Sequence, residues 1–292
     1  MRSSAKNDIR LLLFKPESAI NKFIALNVAI FLLINLVRLI EFVAGLHIGL
    51  FQQAVLWLAV PADLGILSTR PWTVFTYMFV HIELFHILFN MLWLYWIGQI
   101  FEEFLGYRKF IFVYLAGGLA GALFFICLSN LIPAFHTIAP TIGASASVMA
   151  IIAATATLLP NYTISLLFLG NVKLRWLAIG YVVLDLLFIP LGNIGGQLAH
   201  MGGALLGFIY IKRLQQGNDW AAPFIALFNR KRNNKLKVAY RAASSFTHKD
   251  KSKEKSNEQV VDEILDKISK LGYSSLSEKE KQQLFKASQD ID

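Results

Sequence analysis

The sequence predicts an all-α membrane protein, a bundle of six transmembrane helices followed by a short cytoplasmic helical tail. Three observations predict it. Of 292 residues, 55% are hydrophobic and 16% charged, with a mean hydropathy of +0.52, well above a soluble globular domain. Several apolar runs reach about 18 to 20 residues with hardly a charge, the length that crosses ~30 Å of hydrocarbon. After Ile211 the composition turns abruptly toward charged and polar residues, so the bundle ends there and a different kind of segment begins.

Residues 1–22 read as a cytoplasmic N-terminal segment. Met1 to Lys22 carries scattered charges and lacks the short apolar core and small-residue cleavage site of a secretory signal, so the first apolar run is expected to stay as an anchor. The six-span domain, residues 23–214, divides into Phe23–Val43, Phe85–Phe101, Phe110–Leu131, Gly143–Leu159, Leu174–Ile189 and Ile194–Ile211. Basic residues precede the first span (Arg2, Lys6, Arg10, Lys15, Lys22) and follow the second (Arg108, Lys109), fourth (Lys173, Arg175) and sixth (Lys212, Arg213). Every cluster falls on one side, and the opposite loops carry only Arg70. Both termini are therefore expected in the cytoplasm.

The same placement explains the net charge of +9 as an orientation signal rather than a nucleic-acid surface. The single cysteine, Cys127, rules out an internal disulfide or a Cys-rich metal site, and a packing role is expected for it. The loop from Ala44 to about Phe79 is amphipathic and aromatic (Trp57, Trp72, Phe75, Tyr77), which suits the outer interface. Arg38 and Glu41, three apart on one helical face, are expected to pair structurally. Asp185 in the fifth span is an intramembrane carboxylate, which calls for a wet cavity or a partner, and the sequence leaves its role open.

Beyond the sixth span, residues 215–256 form a basic juxtamembrane segment and linker. An apolar stretch, Trp220 to Phe228, leads into Arg230, Lys231, Arg232, Lys235, Lys237 and Arg241, a run suited to anionic lipid. Ser- and Lys-rich residues from Ser244 to Ser256 follow. Residues 257–292 read as a small cytoplasmic helical tail: Val260, Val261, Ile264, Leu265, Ile268 and Leu271 recur at helical spacing and stop at Gly272. Ser277 with Glu280 makes a capping box for a last helix through Leu284 and Phe285. Its partner is unknown.

The case for chemistry starts from polar residues that a bilayer should exclude: His86 and Asn90 in the second span, Ser145 at the head of the fourth, and His200 in the sixth. At ~1.5 Å per residue, Asn90 stands ~18 Å above Glu102, Ser145 ~22 Å above Pro160 and His200 ~18 Å above Lys212. All converge on one level, roughly 10 Å below the outer surface of a ~30 Å core, within reach of water from outside. Each has a bland explanation alone: a serine bonding its own backbone, a satisfied core histidine, an asparagine acting as interhelical glue. Together they supply nucleophile and general base, while His86 and Asn90, at i and i+4, share a face that suits an oxyanion. Small residues promise close helix approach: Gly203 and Gly207 after His200, Ala146, Ala150, Ala153 and Ala154 in the fourth span, and Gly117 and Gly121 in the third.

Gly143-Ala144-Ser145, Ala199-His200-Met201-Gly202-Gly203 through Gly207, His86-x-x-x-Asn90 preceded by His81, and Gly98 with Glu102 and Gly106 resemble, in this order and on these spans, the rhomboid proteases. The resemblance covers about Pro71 to Gly207. It implies a rhomboid bundle and an intramembrane serine endopeptidase that cuts transmembrane or membrane-proximal segments with a Ser/His dyad, without a third acid, cofactor or metal. Ser145 is then the nucleophile, His200 the base, and His86 and Asn90 the oxyanion donors with the Ser145 backbone N–H. Gly143, Gly203, Gly207 and Glu102 are structural. The resemblance also points to a bacterial inner membrane and to substrate helices that unwind easily, since backbone carbonyls in an intact helix are already bonded.

Three departures bear on loop packing and substrate choice. Ala146 stands where glycine is usual, Met149 where many members place a tyrosine that stacks on the base, and Thr73 follows Trp72 where arginine is frequent. Ser147 is a rival nucleophile, but two residues turn ~200° around a helix, so only one serine can face His200, and the spacing from Gly143 favours Ser145. The competing reading is a non-catalytic rhomboid-like protein that binds membrane clients. A transporter would show internal repeats or paired broken helices, and Asp185 alone does not make that case.

Overall fold

The structure, a computed structural model, describes residues 18–45, 48–136, 139–166, 170–228, 257–271 and 275–289. It resolves into two compact units, Met1–Arg232 and Asn233–Asp292. The basic residues Arg2, Lys6, Arg10 and Lys15, the run from Arg230 to Arg241, the linker to Ser256 and the helix stop at Gly272 lie outside the described residues.

The first unit opens with α1 (Ala19–Val43). The first loop then folds into three short helices, α2 (Leu50–Leu58), α3 (Leu64–Thr69) and α4 (Thr73–Thr76), closed by a 3-10 turn over Tyr77–Phe79. Next come α5 (Leu84–Leu105), α6 (Tyr107–Leu131), α7 (Ser145–Leu158), a two-stranded antiparallel hairpin β1 (Thr163–Leu166) and β2 (Gly170–Lys173), α8 (Leu174–Phe188), α9 (Ile194–Gln215) and α10 (Ala221–Phe228). A helix stands on each of the six expected spans. Four, α1, α5, α6 and α9, are long and apolar enough to cross a membrane. The other two, α7 with 14 residues and α8 with 15, are shorter than the ~20 residues of a usual crossing.

The core lies where α6, α7 and α9 meet, and small residues draw the three backbones together. A Cβ built on Gly203 would stand 2.0 Å from the Ala146 carbonyl oxygen, and one on Gly207 2.1 Å from that of Ala150. On α6, a Cβ at Gly117 would meet Ala150 Cβ at 2.3 Å and one at Gly121 would meet Ala146 Cβ at 2.5 Å. The glycines contribute nothing hydrophobic; they let packing, the force that joins helices in lipid, act at short range. Outward, α1 exposes Leu32, Leu33, Leu36 and Leu39, and α8 exposes Ile179, Val183, Leu184 and Leu187. In water such apolar surface would be a liability, whereas against lipid it is the expected outside.

Polar contacts fasten the ends. Glu102, near the end of α5, accepts from the Ala19 N–H (3.0 Å) and the Ser18 hydroxyl (3.2 Å), satisfying the free start of α1. Lys109 pairs with Asp219 at 3.0 Å, and Asp219 also accepts from Tyr210 and the Ala221 N–H. Partial burial pushes the Asp219 carboxyl up, but these donors outweigh it and hold it below the ordinary carboxylate value.

Several expectations change. Arg38 and Glu41 do not pair with each other among the described residues: Glu41 accepts from the Leu50 and Phe51 N–H groups (2.5 and 3.0 Å), capping α2, and Arg38 lies over the Phe51 ring. Cys127 is exposed on α6 rather than packed inside. In the first loop, Arg70 sits 4.6 Å over the Trp57 ring, which stacks on Trp72, and Trp72 Nε1 donates to the Trp57 carbonyl. An arginine two positions before Trp72 thus supplies the guanidinium that Thr73 lacks.

In the second unit, α11 (Asn257–Leu271) and α12 (Glu278–Gln289) are joined by Lys267 to Glu280 at 2.8 Å. The Ser277–Glu280 box forms as the spacing predicts. Glu280 accepts from the Ser277 N–H (2.7 Å) and hydroxyl (2.8 Å), and its own N–H donates to the Ser277 hydroxyl. The Lys267 contact, then the Ser277 contacts, hold the Glu280 carboxyl down at about 2.

Candidate active site

The site is built around the start of α7. That helix has only 14 residues and rises ~21 Å, less than the ~30 Å of a hydrocarbon core. Two contacts hold the chain just before it. Val60 and Thr141 exchange backbone hydrogen bonds (3.0 and 2.9 Å), and the Gly143 N–H donates to the Tyr77 carbonyl at 2.9 Å. The first loop thereby fixes the approach to Ser145.

Gly143 is required for two reasons. Its φ of +120° is one that L side chains rarely adopt. A Cβ there would also stand 2.8 Å from Cε1 and Nε2 of His86, and 3.6 Å from Ser145 Oγ. Glycine therefore lets the His86 ring and the Ser145 hydroxyl share one small space. Behind it, the Ala144 N–H donates to His81 Nε2 at 3.3 Å, which requires an unprotonated Nε2, and the His81 and His86 rings meet edge to face with centroids 5.0 Å apart. Asn90 Nδ2 donates to the His86 carbonyl at 2.9 Å, so one of its two amide hydrogens is engaged along the helix.

His200 reaches the same place from α9. Gly203 lies against Ala146 and Gly207 against Ala150, so the helices run side by side in the same direction. Counting back along each at ~1.5 Å per residue brings His200 within ~3 Å of the level of Ser145. The Ala199 carbonyl and Ala146 Cβ both face Gly121, and His86 lies within electrostatic range of His200. Ser145 is half-buried and His200 buried. Ser147 points elsewhere: its hydroxyl is fully buried, 3.9 Å from Met78 Sδ, and a Cβ on Gly118 would lie 2.7 Å from it.

Two residues not recognised as part of the site in the sequence belong to it. Asp185 Oδ2 lies 2.8 Å from His200 Nδ1. Tyr181, one turn earlier on α8, packs edge to face on the His200 ring with centroids 6.2 Å apart. Met149 is buried, and the aromatic neighbour of the base comes from α8 instead. The signal was a tyrosine and a carboxylate at i and i+4 on an otherwise apolar helix. Ala146 fits because Gly121 and Gly203 face it. Chemically, the arrangement offers a hydroxyl at a helix start whose first N–H groups have no intrahelical acceptor, a histidine with its far nitrogen engaged, and a second histidine beside the hydroxyl.

Comparison with known proteins agrees in kind. A sequence model described as the rhomboid domain matches residues 68–216, and one described as a family of unknown function, DUF6576, matches residues 245–290. RHOMBOID-like protein 12, mitochondrial, of Arabidopsis thaliana is 32% identical over 163 residues, 51% of this chain and 48% of that protein. Rhomboid protease GlpG of Salmonella choleraesuis (strain SC-B67) is 40% identical over 68 residues, 23% of this chain and 24% of that protein. The chain thus spans about half or less of the length of these relatives.

Proposed function

Since this chain is an integral membrane protein belonging to the rhomboid family, we propose that it is an intramembrane serine endopeptidase, with Ser145 as nucleophile and His200 as base. The observation that carries the reading is the Gly143 cradle, where the Ser145 hydroxyl and the His86 ring share a space that no side chain could enter. All six expected spans cross the bilayer in this reading, both termini are cytoplasmic, and the site opens outward from a bacterial inner membrane. The substrates are transmembrane or membrane-proximal segments of other proteins.

His200 Nε2 takes the Ser145 proton as Oγ attacks the scissile carbonyl. Charge then develops on the carbonyl oxygen, beside the His86 ring and the first N–H of α7, with Asn90 a turn further along α5. His200 returns the proton to the leaving amine, and water arriving from the outer side hydrolyses the acyl-enzyme. No cofactor or metal takes part in this scheme. The substrate must first unwind locally, because an intact helix has bonded its carbonyls already.

Cleavage of a model transmembrane substrate in liposomes by the purified protein tests this, alongside Ser145→Ala, Ser147→Ala and His200→Ala. Loss in the first and third with retention in the second is expected. If the unsubstituted protein cuts nothing across several substrates and a fluorophosphonate fails to label Ser145, the chain binds membrane clients without cutting them.

A further inference from the structure

We infer that Asp185 is a positioning residue for the base, a carboxylate that holds His200 in the tautomer and orientation that proteolysis needs. The inference rests on the protease reading above and extends its two-residue machinery to a third.

Asp185 stands on a helix that meets the interior little, with Leu174 its buried residue. Its neighbours Val183, Leu184, Leu186 and Leu187 are exposed and apolar, yet the Asp185 carboxylate turns inward. Its side chain is 13% exposed and that of His200 11%, with 2.8 Å between Oδ2 and Nδ1. Among the described residues Asp185 makes no ion pair with a lysine or arginine. A carboxylate at this depth is costly unless a partner meets it, and the partner here is the proposed base.

The contact has a chemical consequence. A neutral imidazole has one N–H and one lone pair. Donating Nδ1–H to the carboxylate leaves the lone pair on Nε2, the atom that must receive the Ser145 proton. Once the proton has moved, the imidazolium charge lies against the carboxylate, which stabilises it. Tyr181 packs on the ring from the same helix, so α8 fixes both the plane of the imidazole and its tautomer. The other titratable groups about the site are His86 on α5, with His81 edge to face against it and Glu83 just before the same helix, and Tyr77 in the first loop, whose hydroxyl donates to the Gly118 carbonyl at 2.6 Å. On α7 there is none besides the Ser145 hydroxyl.

A merely structural strap between α8 and α9 would be replaced well by an amide, whereas a charge that orients and stabilises His200 would not. The test compares Asp185→Asn and Asp185→Ala with the unsubstituted full-length protein in liposomes, reading kcat and KM against pH. In parallel, NMR of protein carrying ¹⁵N-labelled histidine reads which ring nitrogen of His200 carries the proton, with thermal unfolding as the check on folding. A carboxylate can only accept from Nδ1, whereas an asparagine amide can also donate to it. In Asp185→Asn the neutral His200 ring should therefore shift from the Nδ1–H toward the Nε2–H tautomer. The rate kcat should fall by about ten- to a hundredfold, with KM changed by less than about threefold.

An Asp185→Asn protein that keeps its rate within about twofold, or slows with the His200 tautomer unchanged, overturns the proposal. If Asp185→Asn unfolds early, Asp185→Ala in the same two readouts decides. Failure of the unsubstituted protein to cut any substrate would instead sink the protease reading, and the NMR spectra would still report whether Asp185 governs where the His200 proton sits.

Discussion

His86 and Asn90 share a helix face, yet their hydrogen-bonding duties differ. The His86 ring lies beside Gly143 and Ser145 Oγ, while one amide hydrogen of Asn90 is already donated to the His86 carbonyl. His86 is therefore expected to matter more. In single-turnover cleavage, His86→Ala should lower kcat by about 10²- to 10³-fold, the usual consequence of losing one oxyanion donor, and Asn90→Ala by about tenfold. Equal losses would show that the Asn90 amide leaves the helix backbone when substrate binds. These residues were legible in the sequence because polar side chains inside a bilayer are few and costly, so three of them expected at one depth, with His86 a turn from Asn90, demand an account. The rejection of Ser147 was legible too, from the ~100° turn per residue, and its hydroxyl indeed faces Met78. The Asp185–His200 contact was not. The two residues stand on separate helices, and spacing along each says nothing about how one helix is rotated against the other.

At the scale of elements, the glycine contacts separate two kinds of position. A Cβ on Gly203 would meet backbone at 2.0 Å, whereas one on Gly180 of α8 has nothing within 4 Å. Backbone cannot swing aside, so Gly203→Ala must push α9 from α7, costing about 1–3 kcal/mol as overpacking and widening the Ser145–His200 gap. Thermal unfolding in detergent should show the lower midpoint together with lost cleavage, while Gly180→Ala should leave both intact or raise the midpoint slightly. The tail offers a pH test. Glu280 falls from 4.5 to about 2 in the folded hairpin, so its contribution is present above pH 4.5 and is lost as pH falls toward 2. The protection of α11 and α12 amides, relative to the intrinsic exchange rate at each pH, should fall over that window, and Glu280→Gln should remove the dependence. The long helices were legible from apolar length, with starts within about four residues of expectation for α1, α5 and α6. The β1–β2 hairpin and the short helices of the first loop were not, because brief half-exposed segments carry little periodicity, and their structure comes from contacts such as Trp72 on Trp57.

For the whole molecule, orientation decides whether the proposed chemistry has water and where the tail works. Lys109 and Asp219 pair at one end of the bundle, beside the Glu102 cap on α1, so the basic loops collect at the end away from Ser145. In the proposed orientation, which follows the positive-inside rule, that end faces the cytoplasm, the start of α7 lies toward the outside and the tail lies within. Because Cys127 is exposed on α6, it must be replaced by serine before reporter cysteines are introduced. A cysteine at Ser68 in the first loop should then react with a membrane-impermeant maleimide in intact cells, and one at Ser277 should react only after the cells are opened. Labelling at Ser277 without labelling at Ser68 in intact cells would invert the molecule: the site would open to the cytoplasm, and α11 and α12 would stand outside. The same pair of cysteines also tests the proposed count of crossings, since the short helices α7 and α8 return the chain to the side of the N-terminus only if both cross or neither does. A third reporter, at Ser165 in the hairpin between them, separates those cases. Protection there before opening the cells, with reaction at Ala139 ahead of α7, is the outcome that six crossings require.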